Sequence, residues 1–256
     1  MNHDPYSGLP EAKWLKVTNR LVSDHPLNLT QIRDAAIAAW TTLWQTTVGK
    51  GALAVNISDL RVPATVVGYF FEVLLARELE RRDPRWRGSQ SKDEKDVVCL
   101  DKPHFSIEIK TSGQAGFKIF GNRSYGQKAA SDFIAKKEKS GYYITVNFVG
   151  HCLTLIRFGW IDAADWAPQA AQTGQMAGLK QGVYDYKLLP VPGAYRQQTP
   201  ISLLAGVGPA TEAQFASLGI HTVADLFGFD GELPRKLSAI VKNNQSFLEG
   251  CTEASS

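Results

Sequence analysis

Asp96, Glu108 and Lys110 bring two carboxylates and an amine into one short stretch, with eleven residues between the acids and one between Glu108 and the lysine. From 95 to 110 the chain reads as two short strands. A turn at Asp101, Lys102, Pro103 and His104 joins them, because Asp and Pro favour chain reversal. In the second strand Phe105, Ile107 and Ile109 alternate with Ser106, Glu108 and Lys110. A period of two puts the apolar residues on one face and Glu108 with Lys110 on the other. Asp96 opens the first strand, so its carboxylate can lie beside that of Glu108. Two hard carboxylates and an ammonium on one sheet surface suit a divalent cation held against a phosphate, with the lysine orienting or activating an attacking water.

Acid-x-Lys alone discriminates little, since it also occurs at Glu11-Ala12-Lys13, Asp93-Glu94-Lys95 and Asp185-Tyr186-Lys187. Only Glu108-Ile109-Lys110 sits in an alternating strand behind an acid-led one. The plainer alternative is a surface hairpin with a cross-strand charge pair. The Asp-x11-Glu-x-Lys spacing resembles the signature of the PD-(D/E)xK nucleases, which include most type II restriction endonucleases. Lys95 stands where the motif's name has proline, and Asp101 would replace Asp96 if the first strand began later. The resemblance implies that Asp96, Glu108 and the Ile109 carbonyl hold Mg²⁺ on the scissile phosphate of double-stranded DNA. Lys110 would position a water for in-line attack, leaving 5′-phosphate and 3′-hydroxyl ends.

The elements around this stretch must position it. Residues 31–47, with Thr30 as cap, carry Ile32, Ala35, Ala36, Ala39, Trp40, Leu43 and Trp44 at helical spacing, which makes the tryptophans core residues. Residues 66–80 predict a second helix with Val67, Phe70, Phe71, Leu74, Leu75 and Leu79 as its buried stripe. Many nucleases of the resembled superfamily carry a glutamate on the helix before the catalytic hairpin, and Glu72 matches it here; an exposed helical glutamate is the bland reading. Arg77, Arg81, Arg82, Arg85 and Arg87 follow, to contact phosphates or to pair with Glu78, Glu80 and Asp83.

After Lys110 comes a glycine-rich loop. Gln114, Lys118, Asn122, Arg123, Tyr125 and Gln127 in it are candidates for DNA contact. Glu-Ile-Lys-Thr-Ser followed by Phe-Gly-Asn-Arg-Ser-Tyr is similar to a restriction endonuclease branch typified by ScaI. Residues 128–140 predict a helix, and 142–148 with 153–158 a hairpin. Arg157 to Asp162, with Asp165 and Trp166, read as structural, Trp160 closing the core. The first strand of the core has no clear place in the sequence.

Composition is that of a globular protein: 44% hydrophobic, 21% charged and net +3 over 256 residues. No apolar run approaches a membrane span, and the polar first ten residues do not read as a signal peptide. Three scattered cysteines and five scattered histidines argue for a reducing cytoplasm and against structural zinc. The charge is uneven: residues 77–139 hold 15 Lys/Arg against 10 Asp/Glu, and the rest 13 against 15. A basic surface around the site would attract a polyanion such as DNA; the alternative is a solvated face.

From Pro168 to Thr199 the sequence turns polar and small and reads as a linker marked by Pro190, Pro192 and Gly193. Residues 199–226 resemble a helix-hairpin-helix module. Thr199-Pro200 would start a helix, Gly206, Val207 and Gly208 form the hairpin, and a helix begins at Pro209, whose amides can grip a phosphate without reading sequence. A packing or dimerisation role is the alternative. The expected fold class is α/β. A mixed sheet flanked by helices in the manner of the restriction-endonuclease core (1–198) carries a small all-α helix-hairpin-helix domain (199–250) and a disordered tail (251–256). Such an enzyme implies a homodimer and a cognate DNA methyltransferase as genetic partner. A structure-specific repair nuclease of XPF-like architecture and a non-catalytic DNA-binding protein are the alternatives.

Overall fold

A computed structural model describes residues 4–122, 138–168 and 176–252. Three helices lead: α1 (Trp14–Asp24), α2 (Leu29–Trp44) and α3 (Ala64–Arg82), with a small ribbon of β1 (Thr47–Val48) and β2 (Val55–Asn56) before the third. The strands are then β3 (Trp86–Gly88), β4 (Val97–Cys99), β5 (Ile107–Ser112), β6 (Phe120–Asn122), β7 (Gly141–Val149), β8 (Cys152–Ile161), β9 (Trp166–Pro168), β10 (Met176–Leu179) and β11 (Leu188–Pro190). Six of them form the central sheet in the order β11-β8-β7-β5-β4-β3. β5 and β7 run parallel and every other pair is antiparallel, so the sheet is mixed. β6, β10 and β9 make a second, three-stranded sheet.

Alternation divides the central sheet into two chemistries. Ile107, Ile109, Tyr142, Ile144, Val146, Ile156 and Phe158 face the large core shared with α2 and α3. Glu108, Lys110 and Ser112 lie on the other face, in register with Tyr143, Thr145 and Asn147 of β7. Part of that second face is covered by a smaller cluster that includes Ile119, Trp166, Ala177 and Leu188.

Several expectations need correction. Asn28, not Thr30, caps α2: its side chain accepts from the Gln31 amide and Gln31 accepts back from the Asn28 amide. Phe105 belongs to a 3₁₀ turn (Pro103–Phe105) and not to the strand, which starts two residues later. On α3, Phe70 is exposed and Leu74 only half-buried. The buried stripe instead runs through Val67, Gly68, Phe71, Leu75, Ala76 and Leu79. Residues 168–199 are no linker: they supply β10 and the sheet-edge strand β11 and bury Val183, Lys187 and Val191. Their composition misleads because a short edge strand needs few apolar residues. The predicted helix at 128–140 falls mostly outside the described residues.

Beyond the sheet, α4 (Pro209–Ser217), α5 (Val223–Phe227), α6 (Arg235–Asn243) and α7 (Gln245–Glu249) enclose a core of their own around Ile201, Phe215, Ile220, Leu237 and Leu248. The helix expected at Thr199-Pro200 is reduced to one 3₁₀ turn, Ile201–Leu203, because Thr199 and Ile201 bond instead to Val223 and His221. Cys251 is not tail: it is fully buried in this core.

Candidate active site

β4 and β5 share one register pair, Val97 with Ile107, and then separate. One step further along that register Asp96 stands opposite Glu108. The divergence leaves Ile109 with both its N–H and its C=O turned to the gap. The Ile109 amide donates to Asp96 Oδ2 at 2.7 Å. Lys110 Nζ donates to Glu108 Oε1 at 2.6 Å and to the Ile109 carbonyl at 2.9 Å. Glu108 is 2% exposed, so its charge is held in a largely dry place. The structure therefore brings Asp96, Glu108, Ile109 and Lys110 together. Asp101 is exposed at the far end of the turn, in the field of Arg85, and does not replace Asp96.

The neighbouring elements fix this geometry. The α3 stripe presses closely on the sheet. A Cβ on Gly68 would lie 2.2 Å from Thr111 Oγ1, and one on Gly88 of β3 would lie 3.5 Å from the Ala76 side chain. Glu72 is four residues from both Gly68 and Ala76, on the same helix face. Among the described residues no three His, Cys, Asp or Glu side chains form a group able to hold an ion. On the other side, His25 anchors the turn that leads into β5. The Leu27 amide donates to His25 Nδ1, and Nε2 contacts the Phe105 carbonyl at 3.1 Å, which assigns the proton to Nε2. Burial among Trp86, Phe105, Tyr142 and Phe158 pushes its pKa down to about 4. Lys95, at the motif's proline position, donates to the Glu138 and Ser140 carbonyls.

The other acid-lysine pairs are spent elsewhere. Asp93 is exposed and Lys95 donates to the Glu138 and Ser140 carbonyls, while Glu94 between them is gripped by Arg87, whose side-chain hydrogen bond drops that carboxyl to a pKa of about 2. Lys187 is buried between Asp162 and Asp165 at 2.8 Å each. Glu11 and Lys13 lie exposed on a 3₁₀ turn. The arginine run is similarly engaged: Arg77 with Glu80, Arg81 and Arg82 with Glu78, Arg85 with Asp83. Of the proposed DNA-contacting loop, Gln114 and Lys118 are exposed. The backbone of Asn122 belongs to β6, and Arg123, Tyr125 and Gln127 lie outside the described residues. The loop is pinned from below. Asn147 Nδ2 donates to the Lys118 carbonyl, and Arg157 donates through Nη2 to the Phe117 carbonyl and through Nη1 to Asn147 Oδ1. Sequence reasoning took Arg157 as structural and missed this support; the signal was a lone arginine in the apolar run of β8.

Whether the residues suit Mg²⁺ can be read from the donor set. Glu108 Oε1 and the Ile109 carbonyl already converge on one cation, the Lys110 ammonium, and Asp96 adds a second carboxylate at the same backbone unit. Two carboxylates and a carbonyl leave positions for water and a phosphate oxygen, which is how magnesium is usually held. They fit.

The ScaI restriction endonuclease family model matches residues 4–192. The type II restriction enzyme ScaI of Streptomyces caespitosus is 35% identical over 196 residues, covering 73% of this chain and 84% of that protein. No solved structure matches. The likeness gives a class, the type II site-specific deoxyribonucleases. Within it, the chain belongs to the ScaI restriction endonuclease family. The family match ends before the C-terminal helices. Among the described residues no helix is long and apolar enough to cross a membrane.

Proposed function

We propose that the chain cuts double-stranded DNA by PD-(D/E)xK chemistry, with Asp96, Glu108 and the Ile109 carbonyl as ligands for Mg²⁺. The observation that carries this reading is the convergence of Glu108 Oε1, Ile109 O and Lys110 Nζ beside Asp96, in the gap where β4 leaves β5. Mg²⁺ bound there would lower the pKa of a water and offset charge developing on the phosphate. Lys110, beside Glu108 and the Ile109 carbonyl, would orient a water for in-line attack, giving 5′-phosphate and 3′-hydroxyl ends. Glu72, on the helix that precedes the hairpin, would assist the site by steadying that water or Lys110. Gln114 and Lys118 support DNA contact by the loop after β5, and the reading extends to Asn122, Arg123, Tyr125 and Gln127.

The C-terminal helices serve as a helix-hairpin-helix module from residue 199. Its hairpin Gly206, Val207 and Gly208 would offer backbone amides to a phosphate. A homodimer of about 56 kDa, twice the 28.1 kDa chain, fits a twofold duplex target. The outer face of α3 supports it, exposing Val66, Tyr69, Phe70 and Val73 at one helical spacing. A cytoplasmic enzyme of this kind needs a cognate methyltransferase to protect host DNA.

The test is incubation of plasmid DNA with protein and Mg²⁺. Discrete bands are expected. Asp96→Ala and Lys110→Ala should each abolish them while sequence-specific binding persists in Ca²⁺. Wild-type cutting by Asp96→Ala would defeat the assignment, and cleavage confined to flaps or junctions would point to a repair nuclease.

A further inference from the structure

Two buried arginines face one another without an acid. Arg157 is 6% exposed and Arg196 is 2% exposed, and among the described residues neither forms an ion pair. Arg157 spends two N–H groups on Asn147 and Phe117. Among the described residues the Arg196 side chain makes no hydrogen bond, and its Nε is buried without an acceptor. Its guanidinium lies over the Phe247 ring, 4.1 Å from the centroid. Gly250 lets the backbone come so near that a Cβ there would lie 2.0 Å from Nη1.

Both arginines line a cavity of about 330 Å³ between the sheet and the C-terminal helices, walled by Phe117, Tyr184 and Phe247, with Ser246 at its rim. Burial, reinforced by the charge of Arg196, pulls the Arg157 pKa down to about 10, so it stays cationic at neutral pH. One carboxylate, Asp185, also lines the cavity; it is exposed and accepts from Gln181.

Burying two like charges without a counter-ion is costly, and removing one partner of a buried pair normally leaves a strongly destabilised charge. The missing partner here is an anion with several oxygens, because guanidinium groups match planar or tetrahedral oxyanions through paired N–H donors. The aromatic walls add faces on which a base can stack. We infer that this cavity is a phosphate-binding site for a nucleotide, separate from the cleavage centre. Arg157 lies in one register row with Thr145 and Lys110, two strands or roughly 10 Å across the sheet from the lysine. The phosphate is therefore either part of a DNA strand lying across the sheet or that of a free nucleotide.

The test uses the full chain in EDTA, where no cleavage occurs, so its outcome is independent of the nuclease reading. Inorganic phosphate and deoxyadenosine monophosphate are titrated by calorimetry and by thermal melting, against chloride at matched ionic strength. Both should bind and raise Tm, and Lys110→Met should leave that binding unchanged. Ser246→Asp, at an exposed rim position, should weaken phosphate binding about tenfold or more by placing a competing carboxylate beside the guanidiniums. Arg196→Lys keeps the charge but loses the fork and should also weaken it. A random duplex that displaces phosphate assigns the site to the DNA strand; undiminished phosphate binding beside the duplex assigns it to a free nucleotide. No stabilisation beyond chloride in the wild type, or an equal phosphate effect in folded Ser246→Asp, overturns the inference.

Discussion

Replacing Lys110 with methionine removes the ammonium while keeping most of the side chain's bulk. Its partner Glu108 has a side chain only 3% exposed, and Lys110 itself is 18% exposed, so water can do little to replace the lost charge. At 2.6 Å and an effective dielectric of about 20, the direct attraction is about 6 kcal/mol. Part of that offsets desolvation of the two ions, and breaking such a pair typically costs about 3–5 kcal/mol. For a chain of this size that corresponds to a fall in Tm of roughly 10 °C in EDTA. The structure adds a second expectation. If Lys110 occupies the place that a cation takes between Glu108 and the Ile109 carbonyl, Ca²⁺ should restore the methionine variant far more than it stabilises the wild type. Differential scanning calorimetry with and without Ca²⁺ measures both. An unchanged Tm in EDTA, or an equal Ca²⁺ effect in the two proteins, refutes the reasoning even if cleavage is lost.

Gly68→Ala should cost about 1–3 kcal/mol by overpacking against Thr111 Oγ1, despite the better helix propensity of alanine. Thr111→Ala should rescue it, since the Thr111 Cβ is already at a tolerable 3.4 Å; additivity in a double-mutant cycle would count against the close approach. His25 has a folded pKa of about 4 against an ordinary 6.5, so the unfolded chain binds the extra proton between those values. Its contribution is present above pH 6.5 and is lost as pH falls through 4, about 3 kcal/mol in all. His25→Phe should therefore flatten the acid side of the stability curve in denaturant titrations, and equal losses in both proteins between pH 7 and 4.5 would contradict this. In the hairpin, Gly206 has φ +87° whereas Gly208 has φ −105° and open space around a built Cβ. Gly206→Val should unfold the turn. Gly208→Val should stay folded by circular dichroism yet weaken binding to cognate and non-cognate duplexes alike, and full affinity for every duplex would mean that the module packs or dimerises instead.

What could be read from the sequence was what repeats. β5, the β7–β8 hairpin, α2 and most of α3 announce themselves by period, because one buried face forces apolar residues to recur. β3 did not, since Trp86, Arg87 and Gly88 are too few to show alternation and belong to an arginine-rich run. Nor did the edge strand β11. Gly159 leaves room for it, since a Cβ there would meet the Lys187 carbonyl at 1.9 Å, and a close approach of this kind leaves no apolar signal. The stripe of α3 was misplaced at Phe70 and Leu74 because the helix is apolar on nearly every side, and only its neighbours decide which side is covered. The partners of a buried arginine are also silent in the sequence. Arg157 stands alone in the apolar run of β8, and nothing in its neighbours says that Phe117 and Tyr184 lie beside it.

The eleven residues between Asp96 and Glu108 follow from the way the sheet comes apart. Val97 opposite Ile107 fixes the hairpin register, and that register sets Asp96 across from Glu108. Had β4 continued beside β5, its backbone would have taken the Ile109 N–H and C=O into the ladder, and nothing would remain for a cation. Because β4 begins at Val97, a side chain replaces it: Asp96 takes the amide, and the carbonyl is left to Lys110. A turn longer by one residue would shift this register by one and turn Glu108 and Lys110 away from Asp96, since side chains alternate faces along a strand. The spacing works as a motif only with that register and that early parting of strands. This is why the lysines of three further acid-lysine pairs in the same chain turn to backbone carbonyls, to other aspartates or to solvent and build no site.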